Sequence, residues 1–217
     1  MRNTAHVVTF HFDCASVPQN GKTTTMTYTL QMRTEAMTDI EFQEFPKLAR
    51  YSKDIVVTEK IDGTNAQVII TDDGRIGAGS RNRLITPKND NFGFAGWVDR
   101  NKDMLIETLG PGRHFGEWAG SGIQRTYGLK NKVFVLFAAH IWTGVNLPEG
   151  LSVVPILYQG PNNAKMVDDY MDWLAHNGSV FAPGFMNPEG VVVYHTASKT
   201  LYKKTFEHDE GKWKANQ

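Results

Sequence analysis

Short apolar runs of alternating polarity, each closed by turn residues, recur along this chain more often than helical patterns do, and that imbalance limits its fold more than any other feature. "IVVTEK", "AQVIIT", "HFGEWAG", "KVFVLFAAHIW", "GVVVYHT" and "TLYKKTFE" all read as strands. Only two stretches carry a helical period. In "WVDRNKDMLIETLGPG", Trp97, Val98, Met104, Leu105 and Leu109 recur near helical spacing, and Gly110-Pro111-Gly112 ends the pattern. In "NAKMVDDYMDWLAHNG", Val167, Tyr170, Met171 and Leu174 share one face and Asn177-Gly178 closes it. Between the strands lie an Asp-Asp-Gly turn and the basic loop "RIGAGSRNRLITPK". "GVVVYHT" and "TLYKKTFE" form a hairpin across "ASK", and such local pairing predicts an α+β class with antiparallel sheets, not a doubly wound parallel sheet.

No repeat, low-complexity tract or linker divides the chain. "HVVTFHF" and "TMTYTLQM" alternate around "PQNGK" and suggest an N-terminal hairpin, whereas the stretch from Met37 onward reads as a fresh start. The expected organisation is an extension over 1–36 and a single domain over 37–217. Lysine plus arginine equal aspartate plus glutamate at 23 each, so no global basicity points to a polyanion, and any such partner must be inferred from local sites. The single cysteine, Cys14, excludes an internal disulfide framework and fits a reducing compartment. With no apolar run long enough for a bilayer span, the expected location is the cytoplasm. The seven histidines show no ligand spacing.

"TEKIDGTNA" places Lys60 between Glu59 and Asp62, then Gly63. By itself it fits a surface hairpin, because Asp-Gly is a common turn pair between alternating strands. Further down the chain follow "GSRNR" with Arg81, "FGEW" with Glu117, "VFVLF" ending at Phe137, "PEGVVVY" with Glu189, and "LYKK" with Lys203 and Lys204. Singly these residues have plain structural readings: exposed turn carboxylates for Glu117 and Glu189, core for Phe137, a solvated face for the arginines.

In this order and spacing they resemble the covalent nucleotidyltransferases, the superfamily of ATP-dependent RNA and DNA ligases and mRNA capping enzymes. "EKIDGTN" followed by "FGEWAGSGIQRTYG" looks most like the phage nick-sealing RNA ligases, whose first motif carries Glu before the lysine and Asn five residues after it, here Glu59 and Asn65. The resemblance implies a fold of two antiparallel sheets flanked by helices, with ATP held between them. It implies a polynucleotide ligase acting on RNA or a nicked duplex with 5'-phosphate and 3'-hydroxyl ends, as a monomer. A minimal DNA ligase, or a binding protein that kept the pocket without sealing, shares the same motifs. Only "TFEHDEGKWKANQ" follows Lys204, so the expectation is a single domain without the C-terminal domain of those ligases.

The resemblance also implies roles. Lys60 would attack the α-phosphorus of ATP and hold AMP as a phosphoramidate, splitting one difficult transfer into easier steps. Glu59 and Ile61 would contact the nucleotide, Glu59 largely through its backbone, because alternation along a strand turns its side chain away from that of Lys60. Asn65 and Arg81 would hold phosphate or ribose oxygens, Glu117 would accept from ribose hydroxyls, and Phe137 would stack on adenine. Glu189 would organise a water-bound Mg2+, with Mn2+ as a substitute. Lys203 and Lys204 would grip the α-phosphate. The usual motif separates its two lysines by one residue, whereas adjacent lysines face opposite sides of a strand. One of the pair therefore reaches the phosphate, and the sequence leaves open which.

Overall fold

The computed structural model describes residues 41–207. The chain divides into two compact units, Met1–Lys47 and Leu48–Gln217. Of the first, only residues 41–47 are described, and they form neither helix nor strand; the hairpin read in 1–36 lies outside the described residues.

In the second unit, the smaller sheet contains β1 (Asp54–Lys60), β8 (Ile156–Pro161), β9 (Gly190–His195) and β10 (Thr200–Thr205), in the order β10-β9-β1-β8 and antiparallel throughout. The larger contains β2 (Thr64–Ile70), β3 (Ile76–Ser80), β4 (Leu84–Ile85), β5 (Gly112–Gly120), β6 (Lys132–Leu136) and β7 (Leu151–Val153), in the order β4-β3-β2-β5-β6-β7. The class is α+β, as the local pairing predicts. One detail differs: β6 and β7 run parallel, so the larger sheet is mixed. The connection between them carries the short helix α3 (Ala139–Trp142) and returns the chain to its starting end, which is what a parallel neighbour requires.

Helices cover the outer faces. Against the larger sheet lie α1 (Phe94–Arg100) and α2 (Lys102–Leu109), which break at Asn101 where the sequence suggests one continuous helix. Asp90, not the N-cap glycine, secures α1: its carboxylate accepts from the N–H groups of Ala95 and Gly96 at 2.7 and 2.9 Å. Phe94 packs on Trp118 and Phe134 with ring centroids 5.3 and 5.1 Å apart, and Leu105 and Leu136 complete this core. Each such buried side chain contributes about 1.5 to 3 kcal/mol. Helix α4 (Ala164–Asn177) starts where the Asn163 side chain accepts from Lys165 N–H and ends at Gly178. Its Met171 and Leu174 bury Ile55, Val57 and Val191 of the smaller sheet. A third cluster contains Ile61, Ala119, Tyr127, Val135 and Val154, which join the two sheets on their inner faces.

The hairpin reading of "EKIDGTN" is wrong. β1 belongs to one sheet and β2 to the other, so Ile61–Gly63 is a crossover between sheets rather than a turn within one. Gly63 fits because a Cβ there would sit 2.4 Å from the Trp118 carbonyl oxygen. Two further readings need correction. The basic loop "RIGAGSRNRLITPK" contains β3 and β4, and "KVFVLFAAHIW" is a strand only to Leu136 before turning helical.

Candidate active site

The crossover places Lys60 at the last residue of β1, on the inner side of the smaller sheet. Along β1 the buried side chains are Ile55, Val57 and Glu59, so Lys60 points the other way. Its ammonium donates to Glu189 Oε2 at 2.7 Å, and both side chains keep about a fifth of their surface exposed (22% and 18%), enough for a ligand to reach the amine. Glu189 stands just before β9, where Gly190 pairs with Lys60 on one side and Thr205 on the other. Gly190 has φ +145, and a Cβ on it would sit 2.2 Å from the Lys204 carbonyl oxygen, so the glycine after Glu189 is a backbone requirement.

Glu59, 1% exposed, is turned away and fully engaged. Its carboxylate accepts from Ser179 Oγ (2.5 Å), Val180 N–H (2.8 Å) and Phe181 N–H (2.9 Å). Burial pushes this carboxyl up, against those three donors. Its side chain therefore pins the segment after α4 to β1, which leaves only the backbone of Glu59 for a ligand. Ile61, 3% exposed, is packed in the cluster between the sheets.

Across from Lys60, Asn65 on β2 and Glu117 on β5 are opposite in register, and Asn65 Nδ2 donates to Glu117 Oε2 at 2.9 Å. Burial raises the Glu117 carboxyl to about 7, opposed by the nearby Lys60 charge and the Asn65 hydrogen bond and reinforced by Glu189. Lys60, Glu189, Asn65 and Glu117 thus form one mutually interacting group. Arg81 is the first residue after β3 and is exposed; among the described residues it makes no ion pair.

Phe137 follows β6 directly, with its N–H donating to the Phe115 carbonyl oxygen at 3.0 Å. Strand alternation puts both phenylalanines on the Glu117 side of the sheet, since Glu117 opposes Val135. At 43% exposed for Phe137 and 53% for Phe115, neither is a core residue. Phe115 has no signal in the sequence that separates it from core aromatics. Phe137→Ala should weaken ATP binding by about 1 to 3 kcal/mol, the value of an aromatic stack on a base, with little change in melting temperature. Titration calorimetry beside a melting curve checks this; lost stability with unchanged affinity contradicts it.

Register also separates the two lysines. Lys203 opposes Val192, which opposes Thr58, so Lys203 lies on the same side of its sheet as Lys60. Lys204 points to the outer side, where it pairs with Asp168 of α4. The residue that alternates with Lys203 toward the end of β10 is Thr205, not a second lysine.

Glu117 has a pH consequence. Its pKa is raised in the folded state, so its stabilising contribution is full below its ordinary value and fades as pH rises through about 7. Relative to the parent, Glu117→Gln should therefore gain stability between pH 5 and pH 8, by at most about 3 kcal/mol. Denaturant titrations of both proteins at the two pH values test it; an unchanged difference contradicts it.

A carboxylate-paired lysine set against a carboxamide, a second carboxylate and exposed aromatics between two sheets is an arrangement suited to nucleotide chemistry. A family model described as RNA ligase matches residues 53–214. The chain therefore belongs to the RNA ligase family. Among solved structures it is similar to Naegleria gruberi RNA ligase: a mutant with AMP and Mn (TM-score 0.52, 21% identity), a mutant with ATP and Mn (0.55, 21%) and the protein with PPi (0.52, 22%). Each match covers 71% of this chain and 50% of the other, so the chain spans half the length of these ligases, and at this identity they show the fold. A search of curated proteins gives no match.

Proposed function

We propose that the chain is an ATP-dependent RNA ligase that works through a lysyl-AMP intermediate on Lys60, with residues 37–217 as its adenylation domain. The observation that carries this reading is the position of Lys60: at the end of a strand, partly exposed, between Glu189 and the Asn65–Glu117 pair. A lysine amine there attacks the α-phosphorus of ATP; the N–P bond forms, the bond to the β-phosphate oxygen breaks, and pyrophosphate leaves. An ammonium held by a carboxylate has no lone pair to offer. Attack therefore requires the Lys60–Glu189 pair to separate and the amine to lose a proton.

Lys203, on the Lys60 side, is placed to counter negative charge that develops on the α-phosphate. Asn65 and Glu117 offer a donor and a polar acceptor for the ribose, and Phe137, with Phe115 beside it, offers a flat apolar surface for the base. Among the described residues no three His, Cys, Asp or Glu side chains form a metal cluster. A divalent cation would rely on Glu189 together with water and phosphate oxygens, the ligand set that Mg2+ keeps at phosphate sites, and would supply charge neutralisation. A 5'-phosphate oxygen then takes the AMP as the N–P bond breaks and Lys60 is freed, and attack by a 3'-hydroxyl on that 5'-phosphate forms the phosphodiester and releases AMP. No helix among the described residues is long and apolar enough to cross a membrane.

Incubation with ATP, a divalent cation and labelled nicked RNA, nicked DNA or single-stranded RNA tests the substrate class. Sealing of RNA ends supports the reading, and sealing of nicked DNA alone replaces it with a minimal DNA ligase.

A further inference from the structure

Arg125 lies in the segment between β5 and β6, within "FGEWAGSGIQRTYG" but with no role assigned to it from the sequence. Its backbone neighbours are strained: Gln124, Thr126 and Tyr127 have φ of 43, 57 and 53 degrees, a region L residues avoid and β-branched Thr126 avoids most. Strain of this kind persists only where surrounding contacts over-determine it. The contacts here are specific. Arg125 Nε is 3.0 Å from Asp62 Oδ2, Nη2 is 3.3 Å from Glu207 Oε2, and Nη1 donates to the Asn187 carbonyl oxygen at 3.3 Å. The Nε contact is an ion pair off the hydrogen-bond axis, since that buried atom has no hydrogen-bond partner.

These three partners lie beside the three site elements. Asp62 is two residues after Lys60, Asn187 two before Glu189, and Glu207 four after Lys203. The same segment holds Asp62 a second time, because the Asp62 N–H donates to Tyr127 Oη at 2.7 Å. The Tyr127 ring packs edge-on against Phe181, 5.3 Å between centroids, and the Phe181 N–H is bound by Glu59. Lys60 is thus flanked by two anchored residues, Glu59 through the segment after α4 and Asp62 through Arg125 and Tyr127. With its side chain only 12% exposed and its fork divided among two carboxylates and a carbonyl, Arg125 is not free to bind a phosphate.

We propose that Arg125 is a positioning residue for adenylyl transfer: it locks the Ile61–Gly63 crossover and ties the ends that carry Glu189 and Lys203 to it. The kinetic part rests on the lysyl-AMP reading above; the lock itself does not. Arg125→Ala should slow adenylylation at saturating ATP by about 10²-fold, the cost of a misplacement near 1 Å, while KM for ATP stays within about twofold. Arg125→Lys, which keeps the charge but not the fork, should recover part of the rate. Native-state hydrogen exchange supplies the readout that general destabilisation does not move. In the variant the Asp62 amide should exchange at least about tenfold faster, relative to Val68 and Phe134 in the core strands, than in the parent. If Arg125→Ala does not fold, Arg125→Lys carries both measurements. Retained protection at Asp62, equal acceleration at all three amides, or a parental adenylylation rate in a folded variant overturns the proposal. A parent protein that takes up no AMP on Lys60 refutes the lysyl-AMP reading instead, and exchange at Asp62 then decides the lock.

Discussion

Lys60→Ala is expected to reduce transfer of AMP from ATP onto the protein to background while leaving the fold intact. The side chain ends β1 with its amine in the space between the sheets, and its one hydrogen-bond partner among the described residues is the Glu189 carboxylate, so its loss opens no core cavity. Lys60→Arg should be as inactive, because a guanidinium stays protonated and has no nucleophilic lone pair at neutral pH. The two later steps give the variant a second signature. A substrate whose 5' end already carries AMP needs no lysine nucleophile, so both variants should still join it. Labelled uptake at the parental level in Lys60→Ala would move the nucleophile elsewhere.

Glu189→Ala should lower the adenylylation rate by about 10² to 10⁴-fold, the range for a positioned group that handles a proton or charge in the reaction. Two effects oppose each other here. Removing the carboxylate frees the amine from a 2.7 Å ion pair, which by itself favours attack. It also removes the one carboxylate among the described residues that is bonded to that amine, the candidate proton acceptor and cation ligand. The second effect should win, since leaving-group charge at a triphosphate demands compensation whatever the state of the nucleophile. Glu189→Gln keeps size and hydrogen bonding but not charge and should be nearly as slow. Single-turnover rates at saturating ATP distinguish the cases; a variant faster than the parent would show that the pair only restrains Lys60.

Much of the fold was legible because strands of alternating polarity report their own faces. β1, β2, β9 and β10 lie where the alternation predicts them. β3 was not, since "IGAGS" has glycines and an alanine where a strand signal needs larger apolar side chains, and its pairing with β2 decides the matter. The break at Asn101 is invisible to periodicity because apolar residues continue on both sides of it. Asp-Gly after Lys60 carries a strong local turn signal, yet burial of both strands in different sheets overrides it.

The candidate site divides along the same line. Residues in compact motifs, Lys60, Asn65, Glu117 and Glu189, come together, and their order along the chain is what singles them out. The orientation of Lys203 and Lys204 needed the β9–β10 register together with that of β1–β9, the second a long-range quantity that adjacent residues do not encode. Arg125 lies within "FGEWAGSGIQRTYG", but its role left no trace there. A lone arginine in a loop has no periodicity, and its partners Asp62, Asn187 and Glu207 are distant along the chain.

The most direct test of the account is to incubate the protein with ATP and Mn2+ or Mg2+, digest it and map the adenylylated peptide by mass spectrometry. The expected result is one AMP per chain on the peptide containing Lys60, released by acid and stable to base as a phosphoramidate is. No adduct under any of these conditions, or AMP on another residue while Lys60 stays unmodified, would contradict it.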